Sequence, residues 1–138
     1  MLVLVLPEEK FQARLEASQK IGKWLQNEDN RLSLSEFAIS RASSNHNIHE
    51  KYMNAFKNDI GRCVNWLRDS VENLRACKVD PEEFTYARRA GMDSGIDPYI
   101  TALNAIKNHE YLKRLASKTG IVKEMIDYFI QKLSSTSK

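Results

Sequence analysis

Along most of the chain, apolar residues recur every three or four positions, the period of an α-helix with one buried face. Phe11, Leu15, Ile21 and Leu25 make a first stripe. It is opened by Pro7, with Glu8 and Glu9 in the first turn where carboxylates suit the helix dipole. Asn27-Glu-Asp-Asn30 reads as its end, and Ser33-Leu-Ser-Glu36 as a capping box starting a short helix through Phe37, Ile39 and Ala42. Ser43 to Asn47 reads as a polar loop. The longest stripe is Tyr52, Phe56, Ile60, Cys63, Leu67, Val71 and Leu74. It predicts one helix over about 48–78, with Gly61 as a place to bend.

Asp80-Pro-Glu-Glu83 opens a further helix carrying Phe84, Tyr86, Ala87 and Ala90 and ending at Gly91. Asp97-Pro98 opens another through Ile100, Leu103 and Ile106, which continues or restarts near Asn108 with Tyr111, Leu112 and Leu115. Thr119-Gly120 precedes the last helix, whose inward face is Val122, Met125, Ile126, Phe129, Ile130 and Leu133. The strand-like run is Leu2–Leu6, which has no pairing partner in the chain. It is an extended arm, or pairs with another chain, or marks a start inside a longer ancestral protein. The fold expected is all-α: a single domain over 1–138, a compact bundle of five to seven helices with one long central helix, an extended arm at 1–7 and a frayed tail at 134–138.

Composition changes this picture little. The 138 residues suffice for a core without disulfides or metals. Cys63 and Cys77, 14 residues apart on one predicted helix, lie roughly 21 Å apart along it, beyond disulfide reach. They read as reduced thiols of a cytoplasmic protein, with Cys63 in the core. The first six residues are too short for a signal-peptide core, and no run approaches the roughly 20 residues of a membrane span.

The chemistry of enzymes and metal sites is weakly represented. His46 and His49 form H-x-x-H across a loop and a helix start, with no Cys or acid to complete a site. These two and His109 read as surface polar residues. The acid pairs Glu8-Glu9 and Glu82-Glu83 are explained by first-turn dipole effects. No nucleophile elbow, Walker A loop or dinucleotide fingerprint occurs. Neither catalysis nor a metal or other cofactor is expected.

The bases say more. The net charge of +3 permits an anionic partner without requiring one. On the long predicted helix, Lys57, Arg68 and Arg75 are spaced by 11 and 7 residues, which sets them on one line roughly 27 Å long. Asn54, Asn58 and Asn65 lie near it, while Glu50 falls on it and Glu72 lies close. Arg88-Arg89 and Lys113-Arg114 form local knots, with Lys107 and Lys118 nearby. Such a face suits a nucleic-acid backbone, with Lys57, Arg68, Arg75, Arg88, Arg89, Lys113 and Arg114 as candidate phosphate contacts. Trp24 and Trp66 sit off their helices' main stripes, as core, subunit interface or base-stacking platforms.

A mildly basic helical bundle with these bases beside a long helix, and an unpaired strand Leu2–Leu6 ahead of a capped helix, resembles the small subunits of CRISPR interference complexes. In particular it looks like those of type I-D or I-B systems, which correspond to the C-terminal helical region of the large subunit. The resemblance covers roughly 8–134 and is carried by pattern and size. It implies a structural subunit in several copies, stacked along the guide-RNA-bearing backbone subunits and steadying the target or displaced DNA strand. Two other classes remain open: a helical protein-interaction module or regulator without nucleic acid, and a small helical enzyme.

Overall fold

The computed structural model of the chain describes residues 7–79, 96–116 and 119–135. The arm Leu2–Leu6, the helix expected at Asp80, the Arg88-Arg89 pair, Lys118 and the end of the tail lie outside the described residues. Six helices are described: α1 Pro7–Gln26, α2 Glu28–Asn45, α3 Glu50–Glu72, α4 Asp97–Lys107, α5 Glu110–Ala116 and α6 Ile121–Ser135. The all-α bundle expected from the apolar period is what forms. None of the described helices is long and apolar enough to cross a membrane.

The first boundary falls earlier than expected. Asn27 is the N-cap of α2, and its side-chain oxygen accepts from the Asn30 N–H at 3.1 Å. Glu28 and Asp29 then occupy the first turn, where the dipole favours them. Ser33 to Glu36 is therefore helix interior, and α2 is 18 residues rather than short. Its end also runs into the expected polar loop, as far as Asn45. The Ser44 hydroxyl donates to the Ser40 carbonyl and the Asn45 amide to that of Arg41, so both return to the helix backbone four residues back.

At the other end, α3 stops short. It is 23 residues, ends at Glu72, and passes Gly61 without a break. Leu74 takes a left-handed conformation (φ 59°), which turns the chain out of the helix. Side chains from three helices hold this exit. The Trp66 Nε1–H donates to the Cys77 carbonyl at 3.0 Å, and the Ser70 hydroxyl accepts from the Cys77 N–H at 2.9 Å. Arg14 of α1 donates to the Leu74 carbonyl and also pairs with Glu124 of α6. The Ser18 hydroxyl donates to the Val71 carbonyl.

The core is built where these elements cross. α2 packs along α4 and α3, α1 along α3 and α5, and α6 against α4 and α3. Phe56, Tyr99, Phe129, Leu34, Leu67 and Leu103 are fully buried between them. Cys63 is buried too, which pushes its thiol up. Asp59 is the buried acid among the described residues, at 4 % exposure. The Tyr99 hydroxyl donates to its Oδ2 at 2.7 Å, and Arg62 stands 3.7 Å from its Oδ1. Phe11 departs from the expected stripe: it is 55 % exposed, and Leu32 is 57 % exposed.

Candidate nucleic-acid interface

The proposed line of bases on α3 is divided by the helix end. Lys57 is exposed, with no carboxylate within salt-bridge distance among the described residues. Arg68 is half-buried, and its Nε lies 3.2 Å from Asp69 Oδ1. Arg75 lies in the turn beyond Glu72, its N–H bonded to the Ser70 carbonyl. The expectation of three bases on one helical line is therefore corrected to two, because α3 ends at Glu72 and the left-handed Leu74 turns the chain before Arg75 is reached.

Lys113 and Arg114 belong to a different place. They are exposed on α5, which packs on α1, α4 and α6. Lys113 faces a cavity of about 490 Å³ together with Lys107 at the end of α4 and Lys123 in the first turn of α6. Asn108, Gly120 and Val122 complete its polar and N-terminal side. The first N–H groups of α6 have no acceptor within the helix, so they add a partial positive charge at this mouth. Gly120 makes the entry turn with φ 67°. Two of the ammonium groups are braced: Lys107 and Lys123 lie 3.0 and 2.9 Å from the two oxygens of Asp127. The Lys123 ammonium, joined by that of Lys107, holds the Asp127 carboxyl below its usual range. Lys113 has no such carboxylate among the described residues. No carboxylate is among the described residues lining the cavity.

Beside this basic mouth the fold gathers rings from four elements. Trp24 near the end of α1 lies 5.4 Å from Tyr111 of α5 and 6.0 Å from His109 in the α4–α5 turn. His109 in turn meets the edge of Phe37 of α2 at 5.1 Å. Two guanidinium groups cover the flanks: Arg41 stands 5.3 Å from the Phe37 ring centre, and Arg114 stands 5.8 Å from that of Tyr111. Burial pushes the His109 imidazole below its ordinary value, against a smaller opposing pull from Glu110. Its Nδ1 accepts from the Leu112 N–H at 3.4 Å, which caps α5.

The other singled-out groups have structural partners. Trp66 is half-buried, edge-on to Phe129 at 4.8 Å and parallel to Tyr128 at 6.4 Å. His46 shares a hydrogen bond with the Thr101 hydroxyl at 2.7 Å, and His49 caps α3 through the Lys51 N–H. Among the described residues no group of three His, Cys, Asp or Glu side chains stands close enough to hold a metal ion. Sequence spacing pointed to Lys113, Arg114 and Lys107 but not to Lys123, and it gave no sign that Trp24, Phe37, His109 and Tyr111 would meet. No protein-family model, no curated protein and no solved structure matches the chain.

Proposed function

We propose that this chain is a non-catalytic accessory subunit of a multi-subunit nucleoprotein complex that contacts nucleic-acid backbone through basic side chains. The observation that carries the reading is the convergence of Lys107, Lys113 and Lys123 on one cavity at the start of α6. A phosphate there would meet ammonium groups and backbone N–H donors together, the combination that favours anions. Lys57, Arg68, Arg75, Arg88, Arg89 and Arg114 are further candidate contacts along the same backbone. The exposed Phe11 and Leu32 suit contact with neighbouring subunits. In this reading the chain acts in the cytoplasm in several copies, as the small subunit of a type I-D or I-B-like CRISPR interference complex in antiviral defence, holding target or displaced DNA or the guide–target duplex. Its modest charge is offset by multivalency.

The same two exposed residues favour a second reading, a protein-interaction module without nucleic acid. Charge reversal separates the two. Lys113→Glu with Arg114→Glu, and separately Arg68→Glu with Arg75→Glu, are expected to reduce retention of single-stranded DNA at moderate salt. Unchanged retention in both double variants would contradict the backbone reading. Unchanged retention in the second alone would confine the interface to α5 and its cavity.

A further inference from the structure

We infer that the groove between α2 and α4, continuous with the ring cluster, is a base-stacking site for single-stranded nucleic acid. The inference rests on the backbone reading above and adds a second site to it. The groove is about 240 Å³ and is lined by Phe37, Arg41, Asn45, Thr101, Asn104 and Asn108. No carboxylate is among its described lining residues. Phe37, Arg41 and Asn45 follow one another at intervals of four along α2, so they mark a track roughly 12 Å long. Phe37 joins this track to His109, Trp24 and exposed Tyr111, with ring centres 5.1 to 6.0 Å apart.

Each part suits one part of a nucleotide. Tyr111, 41 % exposed, presents a ring to a base, and stacking of that kind is tolerant of sequence. Arg41 and Arg114, each already over a ring, are placed for the phosphates on either side. The Asn45 and Asn108 amides donate to backbone carbonyls of their own helices, leaving their Oδ1 atoms as acceptors for exocyclic amines. An acidic peptide would need the cations but not a row of rings and amides. A duplex hides its base faces within its own stack, so only an unpaired strand can use them. The volume lies just below the roughly 300–1,000 Å³ of whole-ligand pockets, fitting one planar group of a longer chain.

The test is fluorescence anisotropy of the full chain with a labelled single-stranded DNA of about 12 nucleotides and with the same sequence as a duplex. Arg41→Ala is the groove variant, Tyr111→Ala the variant of the adjoining ring cluster and Lys113→Gln the cavity variant, and circular dichroism checks that each is folded. Arg41 is exposed, so its variant is usable even if Tyr111→Ala perturbs α5. The expected result is tighter binding of the single strand than of the duplex. Tyr111→Ala should weaken the single strand at least about five-fold while leaving the salt slope unchanged. Equal binding of both forms, or binding that Lys113→Gln weakens and both Arg41→Ala and Tyr111→Ala leave alone, would overturn the stacking site and leave the backbone reading standing. No binding of either form would overturn both.

Discussion

At His109 two constraints meet: a ring packed between Trp24 and Phe37, and a nitrogen that caps α5. Its folded pKa lies below the ordinary 6.5, so the unfolded chain binds the proton more readily. The stabilisation is fully present above pH 6.5 and is lost as pH falls through the folded value. Asp127 behaves similarly in a lower window, since its folded pKa is held below 3.8. Thermal melts should therefore show a fall in Tm beginning below pH 6.5 that is missing in His109→Gln. An identical profile in the two proteins would mean that the imidazole is not held neutral by its packing. Tyr99 offers a second measurement at this scale. Tyr99→Phe takes a hydroxyl donor from buried Asp59 and should cost about 1–3 kcal/mol in urea unfolding.

Among the helices, the boundaries show what was legible. Pro7, Asp97-Pro98 and the stripe Val122–Leu133 each combine a start signal with an unbroken apolar period, and helices form there. The start of α2 was misplaced because Asn27-Glu-Asp-Asn30 carries both the marks of a helix end and those of a helix start. Only the side-chain bond from Asn27 to the Asn30 N–H resolves them. Asn27→Ala should accordingly cost about 0.5–2 kcal/mol, while Ser33→Ala, at an exposed interior position, should cost nothing or stabilise slightly. Equal and sizeable losses at both positions, measured by chemical denaturation, would argue for the later start. The end of α3 was illegible for a different reason. Leu74 keeps the apolar period, and the tertiary bonds from Trp66, Ser70 and Arg14 turn the chain there.

For the molecule as a whole, periodicity tells which side of a helix is buried but not which distant side it meets. Lys113 and Arg114 could be picked out as local bases, whereas Lys123 enters the same cavity only through the packing of α6 on α4 and α5. Trp24, Phe37, His109 and Tyr111 come from four elements and converge for the same reason. We propose that the convergence of Lys107, Lys113 and Lys123 serves a nucleic-acid backbone. The most direct test is the affinity of the chain for single-stranded DNA as a function of salt, for the wild type and Lys113→Gln. A steep linear fall of log affinity with log salt is expected, with a slope shallower by about 0.7 in the variant. A slope near zero in the wild type, or equal slopes in the two proteins, would contradict it.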